Sequence, residues 1–226
     1  MCGRYTLRSR LNRILDQFAV ETADFEWTPR YNIAPTQNAP VIYMEGGERT
    51  IAPLRWGLIP SWAKEASIGA RMINARGETV AEKPAFRAAF KRRRCLAPAD
   101  GYYEWKKEGT KKQPCFFHLA DDQPFALAGL WEEWNGEIKG EMKRWRSFTI
   151  ITTAANPQTA AIHDRMPLIL GESQWDLWLD PEFEDKTQLQ AMIQPLADDD
   201  FFEIDAVSTQ VNSPKNDSAE CVVPIG

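Results

Sequence analysis

Cysteine is the second residue of this chain, where it can become the first residue of the mature protein. Initiator methionine is usually removed when the next side chain is small, and Cys2 then carries a free α-amine beside its thiol. An α-amine has a pKa of about 7.7–8.0, against about 10.4 for lysine, so far more of it is nucleophilic near neutral pH. Such an aminothiol can form a Schiff base with an aldehyde and then close a thiazolidine ring through sulfur. An incidental cysteine is the alternative, because reactivity needs a suitable environment.

Two further residues have side chains suited to proton transfer. Glu104 lies among aromatic residues in GYYEWKK, and a carboxyl group in such surroundings can have a raised pKa and act as a general acid or base. The alternative is a surface glutamate that pairs with Lys106 on the same face of a strand. His163 in AIHDRMP follows a predicted central strand and suits either a proton shuttle or a structural role.

Other residues suit contact with a sugar, a phosphate or a base. INARGET contains Asn74, whose amide can orient a reacting group, and Arg76, whose guanidinium fits a phosphate bidentately. Arg4 is a second phosphate candidate because it is close to Cys2. Trp56 and Trp62 flank GLIPS and are candidate stacking surfaces for bases, with core packing as the alternative for each.

The composition is that of an ordinary globular protein. The 226 residues are 43% hydrophobic and 26% charged, a length that fits one large domain or two small ones. No apolar run approaches a membrane span, and we expect no signal peptide. The net charge of −5 would not attract nucleic acid, so such binding requires a local basic patch. The run KRRR at 91–94 is interpreted instead as a solvated helix end.

The cysteines lie far apart along the chain and include no CxxC pair, which argues against a disulfide framework. Cys115 and His118 have the spacing of two zinc ligands, but no second pair accompanies them. We therefore expect neither a metal site nor a cofactor.

Hydrophobic spacing predicts the elements that position these residues. Short helices are expected at 9–18, 84–90, 173–179 and 187–194. Strands are expected at 41–44, 50–56, 94–99, 101–107, 114–120, 124–131, 147–155 and 201–207. We expect a loop at 31–37, a hairpin turn at WNGE (134–137) and an irregular segment from Gly57 to Thr79. The strands do not alternate regularly with helices. We therefore predict one α+β domain over 1–226, built on a mostly antiparallel, barrel-like sheet flanked by short helices.

Seven segments together resemble the SRAP family, named for an SOS-response-associated peptidase. In chain order they are MCGRY, YNIAPTQ, RWGLIPSW, MINARGET, ADGYYEWKK, IHDRMP and VNSPKND. The resemblance implies the SRAP fold and loss of Met1. It also implies covalent capture of abasic sites in single-stranded DNA, including those at replication junctions, through a Cys2 thiazolidine. We accordingly expect a Cys2-dependent, lyase- or peptidase-like protein of the DNA damage response.

The resemblance also implies a role for each candidate residue. Cys2 is the nucleophile, and Asn74 holds the Cys2 amine or the sugar in place. Glu104 is the general acid and base for opening of the sugar ring and for proton transfer. His163 handles protons in Schiff-base formation and in reversal of the crosslink.

The same resemblance places Arg4 and Arg76 at DNA phosphates, and we add Trp56 as the stacking residue. The expected partner is single-stranded DNA that contains abasic sites, bound by a monomer without membrane association. The expected location is the bacterial cytoplasm, with nucleoid association when the protein is bound to DNA.

Two other functions share parts of this pattern. An N-terminal-nucleophile amidohydrolase also begins with Met-Cys-Gly, and its α-amine activates its own thiol. A module that binds single-stranded or modified DNA without covalent chemistry would also use tryptophans and arginines. The later NARGET, EWKK and HDRMP segments favour the SRAP interpretation over the first of these.

Overall fold

The computed structural model describes residues 2–197 and 200–225. Within these ranges the strands are β1 Tyr5–Leu7, β2 Arg30–Ile33, β3 Asn38–Glu45, β4 Glu48–Trp56, β5 Asn74–Arg76, β6 Arg94–Ala99, β7 Gly101–Glu108, β8 Lys111–His118, β9 Phe125–Ile138, β10 Glu141–Ala154, β11 Arg165–Pro167, β12 Ile169–Leu170 and β13 Glu203–Ala206. The helices are α1 Leu11–Gln17, α2 Arg87–Arg92, α3 Pro157–Ala160, α4 Glu172–Leu179 and α5 Lys186–Ala191. Short 3-10 helices span Ala66–Arg71, Thr209–Asn212 and Ala219–Val222.

The larger sheet closes on itself as a barrel. Its strand order is β11-β10-β4-β3-β6-β9-β12, and β10 pairs with β9 as well as with β4. The long strand β10 therefore completes a ring of β10, β4, β3, β6 and β9. Most pairs are antiparallel, but β4 and β5 both lie parallel to β10. This arrangement delivers Asn74, at the start of β5, opposite Ile150 of β10.

The smaller sheet is wholly antiparallel and has the order β13-β8-β7-β1-β2. Its inner face packs on the barrel, and the two sheets share one hydrophobic core. The Tyr5 ring of β1 meets the Trp56 ring of β4 edge to face, with centroids 5.1 Å apart. The predicted α+β fold, a single domain with a mostly antiparallel, barrel-like sheet and few helices, is confirmed.

Among the local predictions that differ from the structure, two are overridden by strand pairing. WNGE lies inside β9, where Asn135 and Gly136 pair with residues of β10. The hairpin turns instead at Lys139 and Gly140, whose positive φ angles of 53° and 84° suit a tight turn between twisted strands. The expected loop at 31–37 also begins as β2, because residues Arg30–Ile33 pair with β1.

The basic run at 91–94 is only partly a solvated helix end. The Lys91 and Arg92 side chains are more than half exposed and form ion pairs with Glu184. Arg94 is 1% exposed, and its guanidinium donates to the carbonyl oxygens of Trp178 (2.6 Å) and others. Arg94 therefore satisfies the carboxyl-terminal carbonyls of α4 from inside the fold.

None of the helices in residues 2–197 and 200–225 is both long and apolar enough to cross a membrane.

Candidate active site

The two sheets meet at Cys2, which is fully buried just before β1. Asn74 Nδ2 donates a hydrogen bond of 2.8 Å to the Cys2 carbonyl oxygen. Since β1 belongs to the smaller sheet and β5 to the larger one, this bond fixes the amino-terminal residue to both. Met1, whose removal the sequence predicts, lies outside the described residues.

Glu104 brings an acidic side chain to Cys2 from β7. It is 3% exposed, and alternation along β7 puts it on the core face together with Tyr102. Burial raises the pKa of the Glu104 carboxyl, while the nearby positive charge of a protonated His163 opposes this shift. The pKa of the Cys2 thiol is raised well above its ordinary value by burial and, secondly, by the negative charge of Glu104. The thiol is therefore neutral at physiological pH, and the Glu104 carboxyl group lies within electrostatic range of it.

His163 approaches this pair from the loop between α3 and β11. The Arg165 backbone N–H donates to His163 Nδ1 across 3.0 Å, so the neutral ring carries its proton on Nε2. Asp164 Oδ1 is also 3.0 Å from Nδ1, and this contact becomes an ion pair only if Nδ1 is protonated. The imidazole is 29% exposed, so of the predicted catalytic side chains it is one that solvent can reach.

The structure thus brings all the predicted catalytic residues together at one place. Cys2 and Asn74 are in direct contact, and Glu104 lies within electrostatic range of both Cys2 and His163. These residues come from four segments that span 162 positions of the sequence, from 2 to 163. Their roles in catalysis remain predictions, but their convergence is a property of the fold.

A groove of about 450 Å³ opens beside Asn74. Its lining combines the exposed Arg76 with Trp62, Lys83 and Phe86. The Trp62 side chain is 59% exposed, so its ring is open to a planar ligand. The groove therefore offers cations and an aromatic surface next to Asn74, the residue that holds Cys2.

The prediction that Trp56 stacks on a base is wrong. Trp56 is 0% exposed, stacks on Phe148 inside the core and donates from Nε1 to the Ile73 carbonyl oxygen. A base cannot reach either face of this ring. Both tryptophans were candidates from sequence, and only burial distinguishes Trp62 from Trp56.

Arg4 is occupied by intramolecular hydrogen bonds. Its guanidinium donates to Asn32 Oδ1 (2.9 Å) and to the carbonyl oxygens of Val211 (2.6 Å) and Asn212 (3.1 Å). In this conformation Arg4 holds the carboxyl-terminal segment 208–222 against the smaller sheet. Its contact with a DNA phosphate remains a prediction.

The sequence analysis assigned no role to the residues that secure this segment. Asn32 is fully buried and donates from Nδ2 to the carbonyl oxygens of Val211, Ser213 and Asn216. The Asp217 carboxylate accepts from the backbone N–H groups of Tyr31 and Asn32. An asparagine inside the apolar alternation of YNI was the available signal, since a buried amide needs several partners.

Arg165, two residues after His163, is a second residue that sequence reasoning left without a role. Its guanidinium pairs with the Glu78 carboxylate and donates to the Thr152 carbonyl oxygen across 2.6 Å. These contacts tie the histidine loop to β10 and to the segment that follows β5.

Comparison with known proteins agrees with this architecture. The model of the SRAP family, SOS response associated peptidase, matches residues 1–214. Abasic site processing protein YoqW of Bacillus subtilis is 45% identical over 225 residues, which cover 98% of this chain and 99% of YoqW. Abasic site processing protein YedK of Escherichia coli is 31% identical over 233 residues, with both chains covered completely.

Likeness extends to a vertebrate protein and to a solved structure. Abasic site processing protein HMCES of Xenopus tropicalis is 33% identical over 231 residues, which cover 88% of this chain and 67% of HMCES. A crystal structure of a Bacteroides thetaiotaomicron protein superimposes with a TM-score of 0.86 at 25% identity, over 99% of each chain. From the family match over most of its length and from these relatives, the chain belongs to the SRAP family.

Proposed function

We propose that this protein acts on abasic sites in DNA and captures them covalently, through a thiazolidine that the mature Cys2 forms with the deoxyribose aldehyde. Its relatives are named abasic site processing proteins, which supports the substrate and a place in the DNA damage response. The observation that carries the chemistry is the buried Cys2, anchored by Asn74 and flanked by the Glu104 carboxyl.

The reaction begins with opening of the abasic sugar, because only the open form has an aldehyde. Glu104 suits this step, since a buried carboxyl group with a raised pKa is a stronger candidate for proton donation near neutral pH. The Cys2 amine then adds to the aldehyde carbon, and loss of one water molecule gives the imine. His163 supplies the proton for the departing oxygen.

Addition of the Cys2 sulfur to the imine carbon closes the ring. One carbon–sulfur bond forms, the double-bond electrons of the protonated imine move to nitrogen, and the thiol proton passes to a base, so the net reaction releases only the water already lost. Because burial keeps the thiol neutral, nitrogen reacts first and sulfur needs a base for the second step. The Glu104 carboxylate is suitably placed to be that base.

The lining of the groove beside the site supports single-stranded DNA as the substrate. Arg76 and Lys83 offer cations to phosphates, and the Trp62 ring offers a face to a base. Because the whole chain has a net charge of −5, this binding is local and weakens as salt concentration rises.

The test is mass spectrometry of the protein with a single-stranded oligonucleotide that holds one abasic site. We expect a chain that starts at Cys2 and an adduct lighter by one water than the sum of its parts. Borohydride separates the two isomeric adducts, because it reduces an imine and leaves a thiazolidine unchanged. Cys2→Ser keeps the amine and should give only the borohydride-trapped adduct, whereas an undiminished borohydride-resistant adduct in Cys2→Ala would exclude ring closure by the Cys2 sulfur.

The same preparation tests the alternatives. An amidohydrolase would release ammonia from glutamine, and a non-covalent module would lose its DNA on a denaturing gel. Self-catalysed removal of Met1 is tested by comparing Glu104→Gln with the wild type. If the Glu104 carboxyl group catalyses this cleavage, the variant lacks the catalyst and should retain Met1.

A further inference from the structure

Two buried phenol groups lie behind Cys2 on the core face of the smaller sheet. Tyr5 of β1 is directly opposite Tyr102 of β7, and both residues are 0% exposed. Side chains alternate along a strand, so Tyr102 shares its face with Glu104, two residues further on. Cys2 lies three residues before Tyr5 and belongs to the same buried cluster as both tyrosines. Three groups capable of hydrogen bonding thus surround the reactive terminus out of contact with solvent.

Among the described residues, neither the Tyr5 nor the Tyr102 hydroxyl has a hydrogen-bond partner. The other fully buried phenols are paired, because Tyr103 donates to the Tyr31 carbonyl oxygen across 2.7 Å and Tyr43 bonds with Arg146. Native proteins pair nearly all such groups, with protein or with ordered water, since an unpaired buried hydroxyl destabilises the fold. The two unpaired hydroxyl groups behind Cys2 are therefore suited to bind a small polar molecule.

The rings cannot turn their hydroxyls toward solvent. Tyr5 is held against the Trp56 ring, and Tyr102 is stacked on Phe117 with centroids 4.6 Å apart and planes 11° apart. Phe202 packs against the edge of Tyr102 from a third direction. Any partner of these hydroxyls must consequently lie in the interior of the fold.

We propose that Tyr5 and Tyr102 are positioning residues that bind water behind Cys2 and conduct the thiol proton to the Glu104 carboxylate as the thiazolidine ring closes. This role rests on the proposed function. The sulfur–carbon bond forms while the electrons of the iminium double bond move to nitrogen. The thiol proton passes through the bound water to Glu104, so no oxidant or further reactant takes part.

Electrostatics agrees with this placement. Burial raises the pKa of both phenols, and negative charge on Cys2 raises it further. Each phenol is thus within electrostatic range of the sulfur, and Tyr102 is also within range of Glu104. As neutral donors in a site of low polarity, the two hydroxyls would stabilise the charge that develops on sulfur when its proton departs.

The test separates imine formation from ring closure in Tyr5→Phe, Tyr102→Phe and the double variant. Each Phe keeps the ring packing and removes only a hydroxyl, and Tyr103→Phe makes the same change on the opposite face of β7 as a matched control. Mature proteins are mixed with the abasic oligonucleotide, and samples are divided at intervals between borohydride and buffer. Borohydride-trapped adduct measures the imine, and borohydride-resistant adduct measures the ring.

We expect the imine to form at the wild-type rate in every variant. Ring closure should slow by at least about tenfold in the double variant, because general acid–base assistance contributes roughly 10²–10⁴-fold. Tyr103→Phe should close the ring like the wild type. A role in packing alone would leave this partition between imine and ring unchanged.

Ring closure at the wild-type rate in the double variant would overturn the proton route and leave the proposed function intact. A wild-type adduct that stays sensitive to borohydride would instead overturn the thiazolidine itself, and the inference with it. Thermal melting gives an independent check. If the hydroxyls bind no water, their removal should raise the melting temperature, and that result also counts against the proposal.

Discussion

The hydrogen bond from Asn74 to Cys2 predicts that Asn74→Ala impairs the chemical step without impairing DNA binding. The substitution removes a neutral bond of 2.8 Å to the Cys2 carbonyl oxygen. Such a bond contributes about 0.5–1.5 kcal/mol net, which corresponds to roughly 2- to 13-fold in rate if it acts in the transition state. Asn74 is only half-buried and borders an open groove, so water can replace the amide and the larger cost of an unpaired carbonyl does not apply.

The assay is single-turnover crosslinking at saturating and at limiting concentrations of an abasic single-stranded oligonucleotide. Asn74→Ala should lower the rate at saturation and leave the half-saturating concentration unchanged. Arg76→Ala, two residues along β5, is the matched control and should do the reverse. It should weaken DNA binding. It should also reduce by about one the number of counterions released, measured as the slope of log affinity against log salt concentration, because it removes one phosphate contact.

A normal rate at saturation in Asn74→Ala would refute the idea that this amide positions Cys2. A raised half-saturating concentration in the same variant would assign Asn74 to DNA binding instead. Melting temperatures of both variants should match the wild type, which keeps unfolding out of the comparison.

Three further predictions concern charge, stacking and stability. Since burial raises the folded-state pKa of Glu104, its protonated form stabilises the fold at low pH, and that stability is lost as pH rises from the ordinary carboxyl range through the raised pKa. Glu104→Gln should therefore gain melting temperature relative to the wild type across that window, while its crosslinking is strongly slowed. Trp62→Ala should weaken single-stranded DNA binding by about 1–3 kcal/mol in fluorescence anisotropy. Trp56→Ala should instead lower the free energy of unfolding by roughly 3–5 kcal/mol in denaturant titration. Arg94→Leu should lower the free energy of unfolding by about 3 kcal/mol or more and leave crosslinking unchanged. Arg94→Lys should not restore this stability, because one ammonium group cannot reproduce the hydrogen bonds of the planar guanidinium. Equal urea midpoints for Arg94→Leu and the wild type would contradict this last estimate.

Local pattern was sufficient for most elements of the fold. The strand at RCLAPA was predicted to the residue, and β-branched alternation identified the inner part of β10. Helical spacing located α1, and the later apolar stripes located α4 and α5. Each of these elements has a single dominant hydrophobic periodicity, which can be recognised directly in the sequence.

Pairing between strands that are far apart in the chain could not be predicted from the sequence. The closure of β10 onto β4 is a parallel contact between residues about 90 positions apart, and no turn signal encodes it. WNGE has good hairpin chemistry, yet β10 pairs with β9 through Ile138 and moves the turn onward. Register is set by the whole ladder, so a local turn preference yields to it.

Residue type alone could not separate buried candidates from exposed ones. A cysteine at position two and a carboxyl group among aromatic residues are unusual in themselves, so Cys2 and Glu104 stood out. Trp56 and Trp62 are the same residue type in one motif, and their difference in burial arises only when β4 enters the barrel. The phenol pair of Tyr5 and Tyr102 likewise depends on the register between β1 and β7.

The bond between Arg4 and the Val211 carbonyl oxygen joins residues 207 positions apart. When Arg4 leaves the ribosome, the segment that contains Val211 has not yet been synthesised. The amino-terminal residues therefore lack this contact during most of translation. We expect enzymes that trim nascent chains to act in that interval. Cys2 becomes buried once the finished chain has folded, so the proposed removal of Met1 by such an enzyme would have to precede that burial.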